Sequence, residues 1–307
     1  MGRFRAAVSV LAVAGLLALA HWFALHGGKV EPPADRTELF PGRCKFAFRI
    51  EPQRLLTVLP AGVSERLGPR GRVLAESSAV VGAATEDFGE VYLLVKGSPP
   101  VEELAASAGE GMRRTEIGGL DALAGDGACL VMLGEREFFA VFAREAARIA
   151  LARLTGSEKE KRRLSKNLKK RLEGVGEDVI AGFCGFPGPL TPPLVPGEGA
   201  RLLQEQTKFL ALDVKRLKDG NVFVRLNLYF PSEAARDLVA MTLPGMLVQA
   251  AADYPFLEEM ARRVRYHRGS KSNLRIELVF PPALLEPVFN PPPPPSPLIP
   301  DVPEFPF

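Results

Sequence analysis

The chain has 307 residues, of which 47 % are hydrophobic and 24 % charged, and its formal net charge is +3. This length and composition suffice for one large domain or two ordinary domains with real cores. A nearly balanced charge gives no indication of nucleic-acid binding. The most basic segment, residues 157–173, also has no aromatic residues between its cations, which a base-stacking surface requires. We therefore expect no nucleic-acid partner.

The first 28 residues have the pattern of a targeting segment. Two arginines precede an apolar run over residues 6–25, which only Ser9 and His21 interrupt. About 20 apolar residues are enough to span a bilayer, and the positive-inside rule keeps the arginines on the cytoplasmic side, with a tryptophan near the far interface. The predicted anchor residues are Arg3, Arg5, Leu11, Leu16, Leu17 and Trp22.

Cleavage of this segment is the alternative. A signal peptide ends in a small-x-small site, and Ala18-Leu19-Ala20 fits that pattern. Both interpretations predict an exported body. The first gives a single-pass protein of the cell membrane with its body on the periplasmic or extracytoplasmic side, and the second gives a protein secreted after cleavage near Ala20.

Alternating polarity predicts strands in the first part of the body. Residues 44–50 alternate as a half-buried strand, and Pro52 favours the first turn of a short helix. Helices are also expected after Ser98, a good N-cap, and over residues 143–154. Glycine-containing or polar turns separate three pairs of predicted strands: 79–84 with 91–96, 113–117 with 120–124, and 128–133 with 137–142.

The second part of the body follows a similar order. Two strands, 209–217 and 222–230, flank Asp219-Gly220, a strong hairpin signal. A helix over about 231–252, with a kink or break at Pro244, leads to a short helix and to strands 264–268 and 274–280. Strand, strand, helix, strand, strand thus occurs twice, at 79–124 and at 209–280.

These patterns predict an α+β fold. We expect antiparallel sheets covered by helices on one face, two related β-β-α-β-β units, and an N-terminal membrane helix. The predicted organisation is 1–28, signal peptide or transmembrane anchor; 29–43, spacer; 44–156, first α+β unit; 157–200, basic helix and Pro/Gly-rich connection; 201–289, second α+β unit; and 290–307, disordered Pro-rich tail.

The order of elements resembles that of a loose group of uncharacterised exported bacterial proteins, with tandem α+β units behind a signal or anchor helix. The resemblance rests on the opening strand and helix, residues 46–56, and on the end of the closing hairpin, residues 281–286. It covers roughly residues 44–288. It implies an exported, non-catalytic domain and carries no functional residue across.

Three cysteines, Cys44, Cys129 and Cys184, lie in apolar, strand-like stretches. No pair has the spacing of a zinc site. We expect buried free thiols, with one disulfide and one leftover thiol as the alternative in an exported protein.

A basic helix is predicted within residues 157–173. Leu164, Leu168 and Leu172 recur every four residues and form one apolar stripe. The pattern favours a surface helix with a solvated basic face, and contact with an anionic membrane or polyanion is the alternative. The residues available for such an anionic surface are Lys159, Arg162, Arg163, Lys166, Lys169 and Lys170.

No motif of the sequence predicts catalysis, a cofactor or a metal. His267, the one histidine beyond the targeting segment, is expected on a surface strand, and no Gly-x-Ser-x-Gly elbow accompanies it.

The predicted function is a structural or protein-binding role in the cell envelope, with an unknown envelope protein or ligand as partner. The alternatives are a small-molecule or lipid-binding module and a hydrolase with a spatially assembled acid site. The tail, residues 290–307, is interpreted as a spacer end, or as a ligand for an aromatic-lined groove.

Overall fold

Twelve antiparallel strands form one continuous sheet in the described part of the computed structural model. The structure describes residues 31–60, 62–66, 73, 75–97, 111–157, 164–173, 179–185, 205–253, 256–269 and 272–286. The strands are β1 Phe46–Ile50, β2 Ser77–Ala84, β3 Val91–Gly97, β4 Arg113–Ile117, β5 Leu120–Ala124, β6 Ala128–Gly134, β7 Glu137–Phe142, β8 Val179–Gly185, β9 Phe209–Arg216, β10 Val222–Tyr229, β11 Arg265–Arg268 and β12 Asn273–Phe280. Their order across the sheet is β11-β12-β10-β9-β8-β1-β2-β3-β7-β6-β5-β4.

The predicted strand pairs are confirmed. β2 pairs with β3, β4 with β5, β6 with β7, β9 with β10, and β11 with β12. The residues in the turns explain why the sequence predicts these hairpins. Gly118 and Gly119 both have positive φ, as a two-residue hairpin turn of type I′ requires. Gly220 also has positive φ, and the Asn221 N–H donates to Oδ1 of Asp219 at 3.0 Å.

Helices pack against the sheet. The helix after Ser98 that the sequence predicts lies outside the described residues. Two 3₁₀ helices, Arg36–Leu39 and Pro282–Leu285, lie near the two ends of the described chain. The α-helices are α1 Pro52–Leu56, α2 Val63–Arg66, α3 Ala146–Thr155, α4 Lys166–Glu173, α5 Glu233–Asp253 and α6 Phe256–Arg263.

The α+β class is therefore correct, but one continuous sheet replaces the separate sheets that the sequence predicted. β1 pairs with β8, and this pair joins the two halves of the chain. β8 lies within residues 157–200, which the sequence division interpreted as a helix and connection. Its strand signal is weak because glycines interrupt its apolar alternation. Gly185 of β8 leaves room for the ring of Phe46, because a Cβ on Gly185 would lie 2.1 Å from Cδ1 of Phe46.

Helices lie on both faces of the sheet, where the sequence predicted one face. Side chains alternate along a strand, so Ala47 and Ile50 of β1 define two opposite faces, called here the Ala47 face and the Ile50 face. Leu168 of α4 and Ile149 of α3 belong to the core cluster that contains Ala47. These two helices therefore cover the Ala47 face.

The other face carries α1, α5 and α6. Ile50 pairs with Ala181, which pairs with Val214, so Val214 lies on the Ile50 face. Its cluster contains Leu55 of α1 and Met260 of α6. The one-face prediction was wrong because central strands such as β7 bury consecutive side chains, 138 through 141, and both of their faces need cover.

The predicted spacer is partly folded into the body. Leu39 and Phe40 are buried in the core cluster of the Ala47 face, and Arg36 forms an ion pair with Glu137 at 2.9 Å. This part of residues 29–43 therefore packs as an element of the domain. The apolar Leu39-Phe40 pair was the available signal in an otherwise polar stretch.

The three cysteines are buried thiols that form no disulfide, as predicted. Helix α5 continues through Pro244, so the predicted break is wrong, and the alternative, a kink there, stays a prediction. Its first turn is capped by Ser232, whose hydroxyl oxygen accepts the N–H of Ala235 at 3.1 Å. Within the described residues, no helix is both long enough and apolar enough to cross a bilayer.

Candidate docking surface on the long helix

Helix α5 is apolar on more than one side. No charged residue occurs between Asp237 and Asp253. The inner side buries Ala235, Val239 and Leu243 in a core cluster with residues of β10 and β12. A helix that is apolar all round is normally enclosed on all sides, and this one is covered by the sheet on one side.

The outward side of α5 presents an apolar row, called here the outer stripe: Ala234, Leu238, Met241, Gly245 and Val248. All five residues are exposed. The exposed fraction is 45 % for Leu238, 74 % for Met241 and 68 % for Val248. The spacing of 4, 3, 4 and 3 residues keeps the row on one side of the helix. Contiguous exposed apolar surface of this kind marks interaction sites more often than scattered single residues do.

A groove of about 460 Å³ adjoins the outer stripe. One rim carries an ion pair in which the guanidinium of Arg262 donates to Oε1 of Glu258 at 2.6 Å. Burial raises the pKa of the Tyr266 phenol, so this side chain is neutral at physiological pH. The groove therefore has mainly apolar walls, with the Arg262–Glu258 ion pair at its edge. Its lining residues are Pro244, Leu247, Val248, Glu258, Ala261, Arg262 and Tyr266.

Tyr92, Glu90 and Arg43 form a hydrogen-bonded network in the first half of the sheet. The Tyr92 hydroxyl donates to Oε2 of Glu90 at 2.6 Å and accepts from the guanidinium of Arg43 at 2.9 Å. Arg43 also pairs with Glu90 at 2.7 Å. Burial, and then the hydrogen bond to Glu90, raises the pKa of Tyr92. This network stabilises a buried phenol and has no activated nucleophile.

His267 lies on the exposed edge strand β11, as predicted. Its Nε2 atom is 3.4 Å from Oε2 of Glu277, whose other carboxylate oxygen accepts from Arg225 at 3.1 Å. These groups belong to a surface ion-pair row across β10, β12 and β11. Among the described residues, no cluster of three His, Cys, Asp or Glu side chains is arranged to hold a metal ion.

A second cleft, of about 590 Å³, opens where β3 ends. Gln53 donates to the carbonyl of Ala75 across one wall at 3.2 Å, and Lys96 pairs with Glu137 at 3.6 Å. The cleft is open to solvent and presents no convergent set of reactive groups. Its lining residues are Gln53, Ala75, Glu76, Ser78, Lys96, Gly97 and Arg136.

The basic helix is described in part. Leu168 is fully buried, Lys166 and Lys170 are exposed, and Lys169 pairs with Asp35 at 2.9 Å. Contact of this helix with an anionic surface stays a prediction. Lys159, Arg162 and Arg163 lie outside the described residues, as do all the predicted anchor residues, Arg3, Arg5, Leu11, Leu16, Leu17 and Trp22.

Known proteins resemble this chain in fold and not in sequence. No protein-family model and no curated protein matches it. Three crystal forms of TP0453 share its fold with TM-scores of 0.53–0.54. Their sequence identity is 13–15 %, and each alignment covers 82–84 % of this chain and 96 % of TP0453. At this identity the likeness establishes the fold alone.

The sequence interpretation did not identify the outer stripe. The available signal was an uncharged stretch of 15 residues, 238–252, in a helix expected at the protein surface. Surface helices normally carry charged residues on the solvent side. The sequence alone does not show which side of such a helix the sheet covers.

Proposed function

We propose that this chain is an exported envelope protein with a structural or protein-binding role, and that the outer stripe of α5 is its docking surface. The observation that carries the proposal is the exposure of Met241 and Val248 on a helix whose opposite side is packed in the core. Full burial of one such side chain stabilises a complex by about 1.5–3 kcal/mol. A partner that covers the stripe would gain most of this free energy.

The export and attachment parts of the proposal rest on the N-terminal sequence. Residues 6–25 would serve as an anchor, with Arg3 and Arg5 on the cytoplasmic side and the body on the exported side. N-terminal sequencing of the mature protein separates the alternatives. Met1 supports an attached helix, and His21 supports secretion after cleavage.

We also propose that the body consists of two related units. Outward from the β1–β8 junction, the first half has the order β1, β2, β3, β7, β6, and the second half has the order β8, β9, β10, β12, β11. In each half, the first three strands are followed by the last strand of that half and then by the strand before it. The hairpin of β4 and β5 extends the first half beyond this common set. In this arrangement β6 and β7 correspond to β11 and β12, which differs from the correspondence read from the sequence.

The docking role is tested by affinity purification of the tagged full chain from envelope fractions. The double variant Met241→Arg, Val248→Arg places two charges in the outer stripe. We expect recovery of the partner to fall by about 10-fold or more, which corresponds to about 1.4 kcal/mol. Leu151→Arg is the matched control, because it replaces an exposed leucine of α3, which packs on the opposite face. An unchanged partner set in the double variant would contradict the proposal.

Ligand binding in the groove beside the stripe is a second candidate function. The apolar walls formed by Leu247, Val248 and Ala261 favour an apolar chain as the occupant. Titration of the full chain with a fluorescent fatty acid would detect such binding. Ala261→Trp fills the groove and is expected to abolish saturable binding, whereas Leu151→Arg leaves it intact. Equal binding by all three proteins would exclude the groove as the site.

A further inference from the structure

We propose that the outer stripe binds the outer stripe of a second copy of this chain, with the two α5 helices antiparallel about a two-fold axis level with Leu243. This inference rests on the proposed docking role, and it names the occupant of that surface.

The steric pattern of the stripe is self-complementary. In an antiparallel pair centred at position 243, residues whose numbers are equally far from 243 face each other. Met241 then lies opposite Gly245 of the second copy, and Leu238 lies opposite Val248. A Cβ on Gly245 would meet nothing within 4 Å in the single chain, so space for the Met241 side chain is open there. The largest side chain of the stripe therefore meets its smallest residue, in the manner of a knob in a hole.

The charge pattern also fits contact with an identical surface. A two-fold contact presents the same patch on both subunits, and like charges near the axis would repel. Residues 238–252 carry no charge. At the end of the stripe, Asp237 pairs with Arg236 of its own helix at 3.0 Å. The contact would therefore bury apolar surface without burying an unpaired charge.

The size of the stripe predicts a contact of modest strength. The 15 residues from 234 to 248 extend for about 22 Å along a helix. A single helix pair lies at the lower end of specific interfaces, which bury about 800 Å² on each partner. Attachment of both copies to one membrane would raise their effective concentration and favour such a contact.

Site-directed cross-linking in cells tests the antiparallel arrangement with the full chain. Two differently tagged copies are co-expressed, one with Leu238→Cys and the other with Val248→Cys, and treated with a short bis-maleimide. We expect a mixed cross-linked product. The parent chain is the background control, because its three cysteines are buried. Two copies of Leu238→Cys should not cross-link, since these positions lie about 15 Å apart along the helix pair.

Gly245→Leu provides the second measurement. It adds a side chain where the single chain has open space and replaces a poor helix former by a good one, so the fold is expected to tolerate it. In the dimer the new side chain would collide with Met241 of the second copy. We expect the yield of the 238–248 product to fall by about 10-fold or more, a loss of about 1.4 kcal/mol.

The outcomes separate this inference from the proposed function. Absence of the 238–248 product, or a product between two copies of Leu238→Cys in its place, overturns the antiparallel dimer. A yield that Gly245→Leu does not change also overturns it. If the dimer fails while the Met241→Arg, Val248→Arg variant still loses another partner, the docking role survives. If neither measurement responds to changes in the stripe, both proposals fail.

Discussion

Burial controls the chemistry of individual residues in this protein, and the cysteines show it most directly. Cys129 is fully enclosed, and burial raises the pKa of its thiol to about 11. The thiolate is the reactive form of cysteine, so the Cys129 thiol is unreactive at neutral pH. Cys44 and Cys184 are enclosed in the same core cluster.

We predict that none of the three thiols reacts with dithiobis(nitrobenzoate) in the folded protein at pH 7. Three thiols per chain should react after denaturation, because unfolding exposes all of them. The measurement is the absorbance of released thionitrobenzoate with and without guanidinium chloride. Stoichiometric reaction of one thiol in the native protein would contradict the prediction.

Asp35 gives the body a defined acid sensitivity. Its carboxylate accepts from the Thr37 hydroxyl at 2.6 Å, from the Thr37 N–H at 2.9 Å and from Nζ of Lys169 at 2.9 Å. These contacts, with the Thr37 hydroxyl the largest, lower the pKa of Asp35 from 3.8 to about 2. Because the pKa is lower in the folded state, the stabilisation is present above about pH 4 and is lost as the pH falls toward 2.

We predict that Asp35→Asn reduces the free energy of unfolding at pH 7 by up to about 1 kcal/mol, since both side chains of this ion pair are partly exposed. The variant should also lose part of the decrease in stability between pH 4 and pH 2. Urea unfolding at several pH values measures both effects. Asp126→Asn, in the exposed turn after β5, is the control and should preserve the pH dependence of the parent.

At the scale of elements, aromatic side chains packed over glycines set how closely neighbouring strands fit. Phe48 pairs across β1 and β2 with Gly82, and Phe46 pairs across β1 and β8 with Gly185. A Cβ on Gly82 would lie 2.3 Å from Cζ of Phe48 and 2.8 Å from Cδ2 of Leu93. These glycines leave the space that the phenylalanine rings occupy.

We predict that Gly82→Ala and Gly185→Ala each lower the free energy of unfolding by about 1–3 kcal/mol, because the added methyl group overpacks a tight site. Gly127→Ala is the matched control, since a Cβ there meets nothing within 4 Å. Denaturant unfolding of the three variants provides the comparison. An equal loss in all three would contradict collision with the rings as its cause.

At the scale of the whole molecule, the β1–β8 pair makes the two halves one sheet. Both strands lie in the interior of the strand order, whereas β4 and β11 are its edges. This pair contributes to the hydrophobic clusters on both faces of the sheet. Ala47 and Cys184 belong to the cluster on the Ala47 face, and Ile180 belongs to the cluster that includes Leu55 of α1. Opening of the sheet at its centre therefore disrupts both halves.

We predict that amide hydrogens of β1 and β8 exchange at the same slow rate, through global unfolding. Amides of the edge strands β4 and β11 should exchange at least about 10-fold faster, because local opening there exposes little buried surface. Hydrogen exchange followed by mass spectrometry on peptides covering these four strands measures the difference. Fast exchange in β8 with slow exchange in β1 would indicate two halves that open independently.

Local sequence patterns predicted the hairpins and the burial of the cysteines because those features depend on neighbouring residues. The turn at Asp219-Gly220 and the two-glycine turn at 118–119 specify strand pairing over a few residues. An apolar stretch around Cys129 similarly indicates an interior strand. The same local logic placed Cys184 in a strand-like stretch but gave β8 no partner, because the strand that pairs with it, and the Phe46 ring that lies over its Gly185, are more than 130 residues away.

The sequence by itself determined the α+β class, the five hairpin pairs and the apolar character of helix α5. Only the tertiary structure decided that β8 joins the halves, that helices cover both faces, and that the outer stripe faces outward. The physical reason is that periodicity records which residues prefer burial, and not which surface buries them. Helix α5 is apolar on two sides, and the sheet covers only one of them.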